Sequence, residues 1–366
     1  MQKRYSLSKN QSMMTGITLQ ITNIAMMKAN IKHCFSFSLF LWLIASLVSC
    51  TPTDNYCQLT GYAQGGTYSV KFNRKGVKTP LDEIKRTVDS ILTMIDTTLS
   101  GYNKGSQLSR FNEGRLVEPN AMFKDIYSMS RRFFVETGGA LDVAAGPLFD
   151  IWGFGFTSDR MPSQQQVDSV RAICGMDKLG DDMAPLVPGI SPRLNFNAIA
   201  QGYTSDRIAD YLHSIGVRDM LVDIGEIYCE GVNQKGNPWS IGIDRPIDGN
   251  MTPGADLDGI WKGDGSGRGV VTSGNYRKFY EKDGKKYSHT IDPRTGFPVQ
   301  HNLLSATIIA PDAATADAFA TYCMVIGLEE SKAFISSSDD IEGYLIYADG
   351  DRMYEWASSG FNLVVN

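Results

Sequence analysis

The clearest pattern of hydrophobic and polar positions follows Thr79-Pro80. Apolar residues recur there at steps of three and four, which is the spacing of one helix face. Thr79 is placed as the N-cap, and Pro80 suits a first helical turn. The pattern predicts an amphipathic helix whose apolar positions are Leu81, Ile84, Val88, Ile91, Leu92, Ile95 and Leu99.

Other segments have helical spacing between capping or helix-ending residues. Gly138-Gly139 ends one of them, and Gly216 ends another. Helices are predicted over Ala121–Glu136, Gln164–Ile173, Ala200–Ile215, Asp312–Ile326 and Leu328–Ser336.

Strands are predicted where apolar and polar residues alternate or where short apolar runs occur. They cover Thr67–Phe72, Met220–Ile224, two runs within Tyr276–Ile291 that flank Asp283-Gly284, Leu303–Ala310, and a final hairpin at Asp349-Gly350. Hairpins are plentiful and a regular βαβα alternation is missing. We therefore expect an α+β fold with mixed sheets and packed helices. The glycine-rich segment Gly263–Gly269 lacks a strand before it and a helix after it, so it is interpreted as a loop rather than a phosphate cradle.

The first fifty residues resemble a bacterial lipoprotein signal peptide. Lys28, Lys32 and His33 precede an apolar run that ends before Leu47-Val48-Ser49-Cys50. That run is shorter than the roughly 20 residues of a spanning helix. We expect an over-extended start over residues 1–25, a signal peptide over 26–49, a tether over 50–58 that begins with lipidated Cys50, and one catalytic domain over 59–366.

Charge and cysteine content narrow the classes of partner and site. The 366 residues carry 35 Lys and Arg against 40 Asp and Glu, and no basic run occurs, so nucleic acid is not expected as a partner. Removal of Cys34 with the signal and lipidation of Cys50 would leave four scattered cysteines without a CxxC pair. This spacing argues against a metal cluster. An exported location permits disulfides, and the three possible pairings stay open among Cys57, Cys174, Cys229 and Cys323.

Several polar, small-residue segments interrupt the apolar pattern. They read SQLSRFN, ALDV followed by GPLFDIWGFG, VVTSGNY, SHTIDPRTG and ADAFAT, in this order along the chain. Together they resemble the FAD:protein FMN transferase (ApbE) family from about Gly61 to Gly327. The resemblance implies a T-fold-like architecture. It also implies an enzyme that splits FAD, joins FMN through a phosphoester to Thr or Ser of a target protein, and releases AMP.

Two oxygen-bearing side chains suggest a cation site. Asp317 and Thr321 are four residues apart on a predicted helix, so they share a face, and hard oxygen ligands suit Mg²⁺. An aspartate near a helix start can also merely complement the helix dipole. The resemblance implies that Mg²⁺ is bound by Asp317, Thr321 and the backbone carbonyl of Ala198.

The resemblance also implies a catalytic base and a set of flavin contacts. His289 is implied to take the proton of the acceptor hydroxyl, although a lone histidine can equally be structural. Asp292 either takes part or fixes the loop before Pro293, while some implied FAD contacts could simply fill the core or satisfy backbone donors. The implied FAD contacts are Gln64, Tyr102, Ala140, Leu141, Asp142, Asn195, Gln201 and Ile291.

Three positions depart from the family pattern. Asn195 stands where members commonly have Asp, and Gln201 stands where they have Lys or Glu. Gly225 stands alone where they have two glycines. These departures change the charge near the flavin or its phosphates, and they bear on cofactor affinity rather than on the fold.

The sequence therefore predicts a transferase that is lipid-anchored in the cell envelope and faces the periplasm. Its predicted substrates are FAD and an acceptor protein. Two alternatives stay open. One is an FAD pyrophosphatase that uses the same site with water as the nucleophile. The other is a non-catalytic flavin-binding lipoprotein, for which the three departures are the best argument and the retention of His289, Asp317 and Thr321 is the best counter-argument.

The predicted lipid anchor can be tested by removing the sulfur atom of Cys50. If Cys50 is the acylated residue, Cys50→Ser removes the thiol that accepts the lipid, so labelling with radioactive palmitate should disappear and the signal should stay uncleaved. Cys57→Ser, seven residues further on, is the matched control and should label normally. Undiminished labelling of Cys50→Ser would contradict the assignment.

Overall fold

The computed structural model describes residues 55–115, 118–154, 161–247, 250, 252–275, 279–282 and 285–365. The predicted signal peptide and Cys50 lie outside these residues. Among the described residues, no helix combines the length and the apolar character needed to cross a bilayer. Asn55–Asn366 group together as one compact unit.

Helices in the described residues are α1 (Leu81–Leu99), α2 (Gln107–Asn112), α3 (Ala121–Glu136), α4 (Gly146–Ile151), α5 (Gln164–Arg171), α6 (Ala200–Ser214), α7 (Ala313–Ile326) and α8 (Leu328–Ser336). A 3₁₀ turn covers Met176–Lys178. The strands are β1 (Tyr56–Ala63), β2 (Gly66–Asn73), β3 (Met220–Asp223), β4 (Ile227–Glu230), β5 (Ser240–Asp244), β6 (Leu257–Lys262), β7 (Arg268–Gly274), β8 (Phe279–Lys282), β9 (Lys285–Ser288), β10 (Ile291–Asp292), β11 (Phe297–Pro298), β12 (Leu303–Ala310), β13 (Glu342–Asp349), β14 (Arg352–Ala357) and β15 (Leu363–Val365).

One antiparallel sheet organises the fold. Its strand order is β1-β2-β3-β4-β7-β12-β13-β14, and every neighbouring pair runs antiparallel. A smaller sheet has the order β15-β6-β5, and β8-β9 and β10-β11 form two-stranded hairpins. Antiparallel sheets combined with separate helices confirm the predicted α+β class.

Both faces of the central strands are buried. Val271 of β7 packs in a cluster with α1, α3 and α7, whereas its neighbour Val270 packs with Trp239 and Trp261 beside the smaller sheet. Ile308 and Ile309 of β12 divide between the same two clusters. Successive side chains point to opposite faces of a strand, so helices cover one face of the large sheet and the smaller sheet covers the other.

The elements predicted from hydrophobic spacing are confirmed, with shifts at several ends. Pro80, not Thr79, is the N-cap of α1, because its carbonyl accepts from the amides of Glu83 and Ile84. The third predicted helix ends at Arg171. Strand β1 begins at Tyr56, inside the predicted tether, because residues 56–63 pair along their whole length with β2.

The four cysteines left open for disulfide pairing are all free thiols. Cys174, Cys229 and Cys323 are buried, and Cys57 is half-buried. Burial raises the pKa of the Cys174, Cys229 and Cys323 thiols to about 12, so they remain protonated and unreactive near neutral pH. The buried thiols pack in the core as free side chains and do not cross-link it.

Helices α6 and α7 each cap the other with a carboxylate. Asp206 of α6 accepts from the amides of Ala313 and Ala314 at the start of α7, at 2.8 and 2.9 Å. In return, Asp317 of α7 accepts from the amide of Gly202 in the first turn of α6, at 3.1 Å. The helices approach so closely that a Cβ on Gly202 would lie 2.2 Å from the Ala313 carbonyl oxygen. Both exchanges satisfy amides that a helix start leaves without an intrahelical partner.

Loss of the Asp206 carboxylate should destabilise the protein. Asp206→Ala leaves two buried amides without acceptors, so we expect a fall of about 2–4 kcal/mol in the free energy of unfolding. Asp210→Ala is the control, since Asp210 is exposed on the same helix and pairs with Arg207 at 2.8 Å. It should change stability by less than about 1 kcal/mol. Equal urea midpoints for the two variants would contradict this account.

Candidate active site

Asp317 is a buried carboxylate with little compensation. It lies in α7 with 5% of its surface exposed, and among the described residues only the Gly202 amide donates to it. Burial raises the pKa of Asp317 to about 7. A carboxylate removed from water without a matching positive charge is costly. Burial without a balancing charge therefore favours either a protonated Asp317 or a cation bound to it.

The neighbouring oxygens fit a hard cation. Thr321 lies one turn after Asp317 on α7, and its hydroxyl is 3.5 Å from the hydroxyl of Ser273 on β7. Ala198 lies in the turn that leads into α6, the helix whose Gly202 amide reaches Asp317. One carboxylate, hydroxyl groups and a main-chain carbonyl are the ligand types that suit Mg²⁺. Among the described residues, no group of three or more His, Cys, Asp or Glu is placed to hold a metal ion. A cation at this position would therefore be bound by one carboxylate and by neutral oxygens.

Ser273 was missed as a site residue by the sequence reasoning. It belongs to the quoted VVTSGNY segment, but nothing in its spacing relates it to Thr321. Only the packing of α7 on β7 brings the two hydroxyls together. Asn275 was missed for the same reason, and its side-chain oxygen accepts from the Thr290 hydroxyl at 3.1 Å. That bond joins the end of β7 to the loop that begins at His289.

His289 is half-buried and directly follows β9. The loop after it is closed by pairing of Ile291 with Pro298 and by a bond from the Val299 amide to the Thr290 carbonyl at 3.0 Å. Strand β10 within this loop lies against α7, the helix that carries Asp317 and Thr321. The fold thus brings the predicted base and two predicted metal ligands to neighbouring elements.

Asp292 holds the loop together. Its carboxylate accepts from the Arg294 amide at 2.9 Å and from the Arg294 guanidinium at 3.0 Å through each oxygen. The backbone carbonyl of Asp292 also accepts from the Gly296 amide at 2.7 Å. Of the two roles left open for Asp292, these contacts support the structural one.

Three of the predicted flavin contacts are buried, and a fourth, Asp142, is half-buried. Ala140 and Ile291 are each 1% exposed and Leu141 is 5% exposed, so these residues present almost no surface to a ligand. The Asp142 carboxylate accepts from the amides of Ala144 at 2.8 Å and Met176 at 3.2 Å. Desolvation nevertheless raises the pKa of Asp142 to about 6. Asp142 therefore ties two loops together by accepting from their backbone amides, and its contact with FAD stays a prediction.

Gln64 and Tyr102 are exposed. Gln64 has φ +51° in the β1–β2 turn, and its amide donates to the Thr204 hydroxyl of α6 at 2.6 Å. The turn is thereby attached to the first part of α6, close in sequence to Gly202. Tyr102 lies on the loop after α1 with 71% of its surface exposed. An exposed aromatic ring is a suitable surface for a planar ligand.

Comparison with known proteins decides the family. The ApbE family pattern matches residues 64–345, which is more than half of the chain. The chain belongs to the ApbE family. It is 33% identical to the FAD:protein FMN transferase of Vibrio cholerae over 334 residues, covering 87% of this chain and 97% of that protein. It is 35% identical to the enzyme of the same name from Escherichia coli K12 over 290 residues, covering 76% of this chain and 81% of the relative.

Solved structures agree with the sequence match. The flavin transferase ApbE of Vibrio cholerae superposes with a TM-score of 0.72 at 32% identity, covering 84% of this chain and 98% of that one. The apo form of the Pseudomonas stutzeri flavinyl transferase ApbE gives a TM-score of 0.73 at 31% identity, covering 83% and 95%. Nearly the whole length of these ApbE proteins has a counterpart in this fold.

The structure accommodates the three departures from the ApbE pattern. Asn195 accepts from the Asn197 amide at 2.9 Å, a bond that an aspartate could also make. The Gln201 amide donates to the Ile224 carbonyl at 3.1 Å. Gly225 has φ +104°, and a Cβ there would lie 2.7 Å from the Gln201 nitrogen. Gln201 thus occupies the space beside the single glycine, and the two departures fit each other.

The cation site can be tested without measuring catalysis. Asp317→Asn keeps an oxygen that can accept from Gly202 but removes the charge, so Mg²⁺ should raise the melting temperature of the native protein and leave that of the variant unchanged. Calorimetric titration should show the same loss of Mg²⁺ binding. Asp210→Asn, an exposed change on α6, should respond to Mg²⁺ as the native protein does. Equal Mg²⁺ affinity for Asp317→Asn would exclude Asp317 as a ligand.

Proposed function

We propose that the protein is an Mg²⁺-dependent FAD:protein FMN transferase. It cleaves the pyrophosphate of FAD, joins FMN through a phosphoester to a Thr or Ser hydroxyl of another envelope protein, and releases AMP. The proposal is supported by the similarity to proteins named FAD:protein FMN transferase, which covers 97% of the Vibrio cholerae protein and 81% of the Escherichia coli one. The main structural support is the buried carboxylate of Asp317. It accepts from one amide at the start of α6 and has no cationic partner among the described residues.

The residues that would hold Mg²⁺ are Asp317, Thr321 and the carbonyl of Ala198. A bound Mg²⁺ supplies charge neutralisation at pyrophosphate oxygens. The start of α6 adds the positive end of a helix dipole near the same place, which also favours an anionic ligand. The proposed site therefore concentrates positive potential where the pyrophosphate charge must be balanced.

His289 supplies the base. The oxygen of the acceptor hydroxyl forms a bond to the FMN-side phosphorus, the bond from that phosphorus to the bridging oxygen breaks, and AMP leaves with the bridging oxygen. The hydroxyl proton passes to His289. Asp292 does not compete for this role, because Arg294 engages both of its oxygens. A positioned base of this kind contributes about 10²–10⁴ in rate.

FAD binding is assigned to the predicted set of contacts, of which Gln64 is attached to α6, Asn195 precedes α6 and Gln201 lies in its first turn. Gln64, Asn195 and Gln201 offer polar side chains there, and Tyr102 offers a ring. Ala140, Leu141, Asp142 and Ile291 are the buried or half-buried members of the set. Gln201 and Asn195 are neutral, so these two side chains contribute hydrogen bonds rather than charge.

The proposed location is the cell envelope. The chain is lipid-anchored at Cys50, with the domain facing the periplasm, where acceptor proteins present their Thr or Ser. The lipobox-like Leu47–Cys50 segment supports this placement. The acceptor is a protein rather than a nucleic acid, in keeping with the slightly acidic net charge of −5.

One incubation separates the transferase from its alternatives. The protein is mixed with FAD and Mg²⁺, with and without a candidate acceptor, and the products are analysed by mass spectrometry and chromatography. A gain of one FMN on an acceptor Thr or Ser with equal release of AMP supports the transferase. Free FMN and AMP without an acceptor would identify a pyrophosphatase, and FAD binding without turnover would identify a flavin carrier.

Replacing the proposed base should affect rate more than binding. His289→Asn is expected to lower transfer by about 10²–10⁴ and to leave FAD affinity and melting temperature nearly unchanged, because the flavin contacts and metal ligands lie on other residues. His213→Asn is the control, since His213 pairs with Glu230, which lies on β4. Parallel loss of rate, affinity and stability in His289→Asn would show that His289 is structural.

A further inference from the structure

A Schellman motif at the end of α4 places two aromatic side chains. Trp152 is the C-cap of this helix, and Gly153 follows it with φ +77°. The Gly153 amide donates to the Asp150 carbonyl at 3.1 Å, and the Phe154 amide donates to the Phe149 carbonyl at 2.9 Å. This pair of bonds defines the motif and requires the left-handed conformation that glycine adopts readily. The positions of Trp152 and Phe154 are therefore fixed by the backbone.

Trp152 fixes the far end of the loop that begins at His289. Its indole N–H donates to the Gly296 carbonyl at 2.8 Å, and its ring meets Phe297 edge to face at 5.6 Å. Gly296 has φ +82°, and a Cβ there would lie 2.7 Å from a Val167 methyl. The loop end is thus packed between α4 and α5, and it has little freedom to shift.

Phe154 contacts the near end of the same loop. Its ring lies 6.4 Å from the His289 imidazole, centre to centre, at an interplanar angle of 68°. This is an edge-to-face arrangement within the range that aromatic pairs favour. The loop backbone is held separately, by the Thr290–Asn275 bond and by Trp152. The Phe154 ring therefore acts on the orientation of the imidazole more than on the path of the backbone.

We propose that Phe154 is a positioning residue for His289, holding the imidazole in the orientation in which it takes the acceptor proton. The proposal rests on the proposed function of His289 as the base. In this arrangement the WGF part of the GPLFDIWGF segment contacts both ends of the loop: Trp152 contacts Gly296 and Phe154 contacts His289. A misplacement of about 1 Å in a reacting group can cost about 10²-fold in rate, so a supporting ring can matter without touching the substrate.

Three variants test the proposal in the transfer assay. Phe154→Leu keeps an apolar side chain but removes the ring, and should lower kcat about 10- to 100-fold while the Kd for FAD and the melting temperature change little. Phe154→Tyr keeps the ring and should restore most of the rate. Phe149→Leu is the matched control, because Phe149, in α4, is also half-buried and packs on the same apolar cluster as Phe154. It should leave kcat near that of the native protein.

An unchanged kcat in Phe154→Leu would overturn the proposal. So would a parallel fall of kcat, FAD affinity and melting temperature that Phe149→Leu reproduces, since that result would indicate a general packing role. A native protein without any transfer activity would instead contradict the proposed function.

A second readout does not depend on activity. Residues 55–366 contain three histidines, His213, His289 and His301, so their ring protons can be assigned by NMR. In Phe154→Leu the His289 ring signals should lose the ring-current shift from Phe154, and those of His213 and His301 should stay in place. Unmoved His289 signals would refute the contact itself, whatever reaction the protein catalyses.

Discussion

The site depends on the exchange of carboxylates between α6 and α7. Each helix begins inside the protein, where amides without acceptors would cost about 1–3 kcal/mol apiece. Asp206 satisfies two amides of α7, and Asp317 satisfies one amide of α6. This exchange allows the helices to approach at Gly202, where a side chain would collide with the Ala313 carbonyl. It also places Asp317 beside the turn that leads into α6.

The two carboxylates differ in whether an oxygen remains available to bind a ligand. Both oxygens of Asp206 accept hydrogen bonds from amides, so neither is available to a ligand. Asp317 receives a single amide bond, so its second oxygen has no donor among the described residues. Burial raises the pKa of both carboxyls to about 7, so the pKa does not distinguish them; the second oxygen of Asp317 does, because it can still bind a ligand. The same pair of helices thus supplies one structural carboxylate and one that suits a cation.

The sequence predicted the long helices well, because their hydrophobic spacing is local. It missed strands β1, β4, β5, β6, β7 and β15 and the short helices α2 and α4. These strands have mixed polarity, and their pairing is decided by the sheet. The sequence also missed the structural role of Asp206, since an aspartate in the middle of a helix gives no local sign of burial. Asp142 and Asp292 were each open to two interpretations, and only the distances to Met176 and Arg294 distinguish them.

The candidate site was predicted residue by residue from a family resemblance, and the fold explains why the segments belong together. The segments VVTSGNY, SHTIDPRTG and ADAFAT lie at the end of β7, in the His289 loop and on α7, which are neighbours only after folding. Contacts such as Phe154 with His289 cannot be deduced from spacing, because a loop and a helix end far apart in sequence must first meet.

A crystal grown with a substitute metal would show directly whether Asp317, Thr321 and Ala198 bind a cation. The protein is crystallised with FAD and Mn²⁺ in place of Mg²⁺, and the ion is located by anomalous scattering. The account predicts one Mn²⁺ bonded to the Asp317 carboxylate, the Thr321 hydroxyl and the Ala198 carbonyl, at metal–oxygen distances slightly longer than the roughly 2.0–2.1 Å of Mg²⁺. An ion held elsewhere beside bound FAD, with Asp317 still bonded only to Gly202, would contradict it.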